Sequence, residues 1–295
     1  MTSGEQNKSI YGSPYMAEFY ELRWACGVGL EDVELVYWPA FVEMFSKHPR
    51  GAQFTFIDIG TGGGRSILGL LDKAVAESFE IPLGSAQFIG MDIEENMLDY
   101  AAREASKHPG ISPVTWSLGS ALALDKLREL ADRKTTVDML IFTYGSIAHL
   151  TGDGELGQFF TQVSRVLTPG SGRAYVDFFD DIFIPHGQDG AKMEDASTDA
   201  HPDVQSAEIK SIQWPGISYQ METSKFVTAG VFCDADLMVH VVREDKTVVQ
   251  SNSIHHHLRI HREDHVQAAS REAGLVQVGK KSCMKDTVFI FQKPA

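Results

Sequence analysis

The sequence predicts an α/β fold: a doubly wound, mostly parallel seven-stranded sheet with a reversed C-terminal hairpin, an N-terminal helical segment, and an antiparallel β insertion after strand five. Three observations predict it. Five short apolar runs alternate with segments of helical period, and such alternation requires crossovers and parallel pairing. The runs are almost continuously apolar, as strands covered on both faces must be. Beyond residue 180 the helical segments give way to polar–apolar alternation broken by short turns, which is the pattern of an antiparallel meander.

The elements follow in order. Residues 13–24 and 31–47 carry apolar residues at helical spacing, with Ser13 and Pro14 suited to open the first helix. Residues 54–59 (FTFIDI) read as a strand and 64–78 as a helix; 87–92 and 94–107 repeat the unit. VTWSL at 114–118 is a third strand with a helix expected over about 122–132, VDMLIFT at 137–143 a fourth with a helix over 155–167, and GRAYVDFF at 172–179 a fifth. Segment 183–205 is rich in Gly, Asp, Pro and His and reads as loop. Strands are expected near 208–219, 225–232, 236–243 and 247–260, separated in part by a Cys-Asp-Ala-Asp turn at 233–236 and a Glu-Asp-Lys turn at 244–246. Helical patterning returns at 262–273 and stops at Gly274; residues 275–281 and 286–292 pair as the last hairpin.

Composition narrows the function. The 295 residues carry a formal charge of −14 at pH 7, which repels phosphate backbones and anionic lipid, so neither nucleic acid nor a membrane is expected as partner. The chain has three cysteines, Cys26, Cys233 and Cys283, too few and too scattered for a disulfide framework or a zinc knuckle. The opening residues MTSGEQNKSI are polar, and a cytoplasmic protein is expected.

The informative motif is Gly60-Thr61-Gly62-Gly63-Gly64-Arg65-Ser66, which leaves the first strand and opens a helix. In an open parallel sheet, ligands bind beyond the carboxyl ends of the strands near the switch in strand order, where this loop would lie. A dinucleotide fingerprint would need glycine at 60, 62 and 65, but position 65 is arginine. The second strand ends in Asp92, where an acid accepts hydrogen bonds from ribose hydroxyls. The interval from Gly64 to Asp92 exceeds the usual ~20 residues; FEIPLGSA at 79–86 accounts for the excess as a loop insertion.

IDIGTGGGRS followed by a strand-end Asp resembles the class I S-adenosylmethionine-dependent methyltransferases, with their Rossmann-like sheet. LGSA at 118–121, VDMLIFTYGSIAHL at 137–150, RVLTPGSGRAYVDFF at 165–179 and the reversed hairpin extend the resemblance. The meander before the last helix is similar to that of small-molecule branches, including glycine N-methyltransferase-like enzymes. The resemblance implies S-adenosyl-L-methionine as cofactor and S-adenosyl-L-homocysteine as product. It implies that Asp58, Gly60, Gly62 and Gly64 line the methionine part, and that Asp92 holds the ribose. Ile93 and Met97 would flank the adenine, Ser120 and Ala121 would meet its edge, and Thr143 and Tyr144 would lie beneath the sulfonium. It divides the chain into an N-terminal helical lid (1–50), a methyltransferase domain (51–182 and 261–295) and an inserted meander (183–260) that contributes to the substrate pocket.

Methyl transfer from a sulfonium needs alignment and a dry pocket, and a base only where the nucleophile carries a proton. His149 and Tyr144, after strand four, and Asp180, after strand five, are the catalytic candidates; His149 has a competing role as a packed helix start, and Asp180 as a solvated loop acid. Tyr15, Tyr20 and Trp24 are candidates to sandwich the acceptor, or else to dock the helix. His255-His256-His257 places two imidazoles on one strand face, and without a carboxylate or thiolate at ligand spacing no metal is expected. The expected activity is methyl transfer to a nitrogen or oxygen of a small molecule, by a monomer or homodimer. The alternatives are a methyltransferase fold without catalysis that serves regulation or interaction, and an NAD(P)-dependent oxidoreductase.

Overall fold

The structure, a computed structural model, describes residues 13–25, 30–108, 110–131, 135–185, 208–283 and 286–295. Seven strands form the main sheet: β1 (Phe54–Ile59), β2 (Ala86–Asp92), β3 (Val114–Leu118), β4 (Met139–Phe142), β5 (Arg173–Phe179), β12 (Val276–Cys283) and β13 (Asp286–Gln292). Their order is β12-β13-β5-β4-β1-β2-β3; all pairs are parallel except β13 with its two neighbours. The chain builds outward from β1 to β3 and then crosses to β4, so the switch falls between the carboxyl ends of β1 and β4. Every residue of β1 and β4 is buried, which explains why neither run alternates.

Helices α3 (Arg65–Ala76), α4 (Glu95–Ala105), α5 (Glu155–Val166) and α6 (Glu263–Glu272) cover the two faces. The helix expected over 122–132 is instead a 3-10 turn, Ala121–Lys126, broken at Ala123 (φ −147°, ψ 41°). Its buried residues Ala121, Leu124, Leu127 and Leu130 recur every third position, which a period of 3.6 cannot keep on one face. Helix α2 (Trp38–Lys47) follows a π-helical turn, Val33–Tyr37, and packs Phe41 beside Phe45 of the same helix and against Phe54, Phe56 and Phe88 of the sheet.

The meander forms a second sheet of β7 (Ile209–Lys210), β8 (Ile217–Ala229), β9 (Phe232–Arg243) and β10 (Val248–Arg259), all antiparallel, while β6 (Phe183–Ile184) pairs with β11 (His261–Arg262). The turn expected at Cys233–Asp236 is not there. The reversal falls at Gly230, whose φ of 61° suits a tight turn, and Cys233, Asp234, Ala235 and Asp236 continue along β9. Cys233 and Leu237 face inward and are buried, so the two aspartates face outward.

Helix α1 (Pro14–Ala25) lies between this sheet and the main domain. The buried Glu18 accepts from Ser211 Oγ (2.6 Å), the Ile212 and Gln213 amides (2.8 and 2.7 Å) and the hydroxyl of fully buried Tyr219 (2.5 Å). Met16 and Phe19 fill the sheet beneath with Leu237, Val239 and Ile254. Glu18→Ala leaves these donors without an acceptor and is expected to lower stability by about 3 kcal/mol. A urea melt checks this, with an unchanged midpoint refuting it.

Candidate active site

The loop after β1 turns tightly because Gly60, Gly62 and Gly64 all take positive φ (61°, 56° and 86°). The Gly62 amide donates to Asp92 Oδ2 at 2.9 Å, and the Glu94 amide to Asp92 Oδ1 at 3.0 Å, so the acid at the tip of β2 is aimed into the loop. Asp58 Oδ2 accepts from Thr61 Oγ1 at 2.7 Å, while Asp58 Oδ1 is buried with no hydrogen-bond partner among the described residues. The Gly63 amide donates to Glu21 Oε1 of α1 at 2.7 Å. A Cβ at position 63 would lie 2.5 Å from Glu21 Cγ and Cδ, so a side chain here would displace Glu21 from its place against the loop.

Three carboxyl groups therefore meet at the N-terminus of α3. Burial pushes both Glu21 and Asp58 up to about 7 and raises Asp92 as well; Asp92 adds to the first two through like charge. The neighbouring guanidinium of Arg65 is held by Asp32 in a fork of 2.9 and 2.6 Å and lies 5.3 Å from the Tyr144 ring. The cleft is thus rich in acids whose charge is only partly balanced.

The opposite wall is the turn after β4. Buried Asp177 accepts from the Tyr144 and Gly145 amides (2.8 and 2.7 Å) and from Tyr37 Oη (3.3 Å). These contacts hold Tyr144 at φ 61°, a strained position for a residue with a side chain. Burial lifts Asp177 to about 6. Thr143 Oγ1 meets Ser66 Oγ at 3.3 Å. The turn continues as a short 3-10 segment, Ser146–His149. His149 ends this segment and is exposed, and desolvation by the surrounding protein lowers its pKa. His256 of β10 lies 6.0 Å from it, and Tyr20 of α1 lies 6.3 Å from His256, both between ring centroids. His256 is held down to about 4 by burial, then by His149, Arg23 and His255.

These contacts sort the residues named from the sequence. Asp58, the glycines and Asp92 form one cradle, and Thr143, Tyr144 and His149 form the facing wall. Met97 is buried under Ala17 of α1, whereas Ile93 is 67% exposed at the tip of β2. Ser120 Oγ accepts from the Leu122 amide at 3.2 Å and Ala121 is buried behind it, both just beyond β3. Tyr20 lies beside His256, but Tyr15 packs against Trp214 with ring centroids 4.7 Å apart and planes tilted by 52°, and so docks α1 on the meander. Asp180 is exposed and accepts from Thr287 Oγ1 at 2.7 Å, a contact with the edge hairpin rather than with His149. The side chain of Trp24 lies outside the described residues. Two residues of the cleft were missed. Glu21 sits one position after Tyr20, and no periodicity marks it. His256 was legible in principle, because alternation along a strand turns the middle histidine to the face opposite its neighbours.

A family profile described as a methyltransferase domain matches residues 56–170. The N-methyltransferase FrzE of Cladobotryum sp is 32% identical over 290 residues, covering 96% of each chain. Among solved structures, an S-adenosylmethionine-dependent methyltransferase from Clostridium acetobutylicum ATCC 824 is similar at TM-score 0.64 and 13% identity, over 95% of this chain and 98% of that one. The sugar N-methyltransferase KedS8 from Streptoalloteichus sp ATCC 53650 is similar at TM-score 0.63 and 15% identity, over 100% and 97%. With a relative matched along almost its whole length and a cradle of this kind after β1, the chain belongs to the class I S-adenosylmethionine-dependent methyltransferases.

Proposed function

We propose that this enzyme methylates a nitrogen of a small-molecule amine, held between Tyr20, His149 and His256. The observation that carries the reading is the acid-rich cradle facing a neutral imidazole. The residues present fit the donor: Asp58 Oδ1 is buried without a partner among the described residues, and Glu21 and Asp92 stand beside it, a set that a ligand bearing ammonium and sulfonium charges would balance. In this reading Asp58 and the glycine loop hold the methionine portion, and Asp92 holds the ribose. Met97, Ile93, Ser120 and Ala121 surround the adenine, and Thr143 and Tyr144 support the sulfur. When bound, the donor supplies an activated methyl group for in-line displacement.

The rest is done by the chain. An amine reaches the cleft protonated and must lose its proton before it attacks. His149 is kept neutral near pH 7 by desolvation and is the group placed to take that proton. Tyr20 and the buried, neutral His256 orient the acceptor. The N-methyltransferase names of two similar proteins support nitrogen over oxygen. No described helix is long and apolar enough to cross a membrane.

The test is a panel of amines, phenols, carboxylates and thiols incubated with isotopically labelled S-adenosylmethionine, with mass spectrometry of the products. Label on amine nitrogen is expected. Transfer confined to phenols, carboxylates or thiols would overturn the acceptor class, and no transfer with intact donor binding would favour a silent fold.

A further inference from the structure

The aspartates that continue β9 change the meaning of the three consecutive histidines. In the register of the two strands, His255 stands opposite Asp236 and His257 opposite Asp234. All four side chains lie on the outer face of the meander, since Ile254 and His256 are the buried residues of this stretch. The carboxylate that two imidazoles lacked in the sequence is thus supplied from across the strand pair.

The distances describe a built arrangement. His257 Nδ1 is 2.6 Å from Asp234 Oδ1, and His255 Nε2 is 3.4 Å from the same oxygen. His255 Nδ1 is 2.7 Å from Asp236 Oδ1. One atom from each of Asp234, His255 and His257 falls within 4.8 Å of the others. The two imidazole planes are nearly parallel, 12° apart, and His257 stacks at 4.6 Å on Phe232, which fixes its ring.

The three side chains converge from two strands onto one point. His255 Nε2 and His257 Nδ1 both approach Asp234 Oδ1, while His255 Nδ1 is turned to Asp236 Oδ1. Two ring nitrogens and a carboxylate oxygen gathered within 4.8 Å form a ligand set that a cation would hold together. A carboxylate that binds the far nitrogen of a ligating histidine is also the usual orienting partner in metal sites. Two imidazole nitrogens and one carboxylate oxygen suit a divalent first-row transition metal, with positions left for water.

We propose that Asp234 Oδ1, His255 Nε2 and His257 Nδ1 bind a divalent transition-metal ion of the zinc class, with Asp236 as the orienting partner. The ion would clamp β9 to β10 on the outer face of the sheet whose inner face presents His256 to the cleft. It takes no part in methyl transfer; it holds the strand that carries His256.

The experiment is calorimetric titration of the full-length, tag-free protein with zinc chloride, with thermal melting of the same samples. One equivalent is expected to bind and to raise the melting temperature. His257→Ala and Asp234→Asn are expected to weaken that binding at least tenfold. Asp236→Asn, which keeps the shape but removes the orienting charge, is expected to weaken it about tenfold. His240→Asn, on the same face of β9 but paired with Ser251, is expected to leave it unchanged. The proposal is overturned if the wild type takes up no zinc, or if His257→Ala and Asp234→Asn bind it as the wild type does. It is also overturned if His240→Asn loses as much affinity as they do, which would mark diffuse surface binding.

Discussion

Asp92→Ala is expected to weaken binding of S-adenosylhomocysteine by about 1–3 kcal/mol, roughly 5- to 150-fold. The side chain is 9% exposed, and its two oxygens are already oriented by the Gly62 and Glu94 amides. In the site as we propose it, an acid fixed in this way would bind the ribose without first being ordered, which is why its loss is expected to be costly. The same contacts introduce a second effect, since the variant also leaves two amides unsatisfied. Asp92→Asn separates the two: its remaining carbonyl can keep one amide contact while the charge is gone. Calorimetry on both variants, with melting curves as a control on folding, reads the outcome. Affinity unchanged from wild type in both would remove Asp92 from the site.

His149→Ala is expected to lower kcat by about 10²–10⁴ on an amine acceptor, with donor affinity near wild type. The pH profile carries the sharper prediction. Burial lowers the His149 pKa, so the base form predominates at neutral pH and is lost only as the pH falls through a value below the ordinary histidine 6.5. Glu21 and Asp58, raised to about 7, and Asp177, raised to about 6, titrate in both proteins, so the His149 limb is read as the difference between the wild-type and variant profiles. His256 is held down to about 4 and stays neutral throughout, so it contributes no competing limb near neutrality. An unaltered profile in His149→Ala would assign proton removal elsewhere.

Much of the fold was legible because burial on both faces makes each parallel strand an uninterrupted apolar word, as in FTFIDI at 54–59. The glycine loop and Asp92 were legible for a related reason: close backbone approach and a strand-end acid leave few residue types possible. Two readings failed where tertiary geometry decides. The run from Ala121 to Leu130 has enough apolar residues for a helix, but their spacing of three commits it to a 3-10 turn and extended chain. Asp234 and Asp236 have turn-like composition, yet Gly230 makes the turn and leaves them in the ladder. That misplacement also hid their pairing with the histidines. Glu21 was invisible for a different reason. Its significance comes from the Gly63 amide 42 positions away, and nothing local to α1 encodes that meeting.

Helix α1 grips the meander through Glu18 and touches the glycine loop through Glu21, one helical turn apart. In the site as we propose it, a movement of the acceptor's wall would be geared to the floor beneath the methyl source. Thermodynamics then imposes a symmetry: whatever factor the donor adds to the acceptor's affinity, the acceptor must return to the donor's. An enzyme wired in this way would fill its two seats as a coordinated pair.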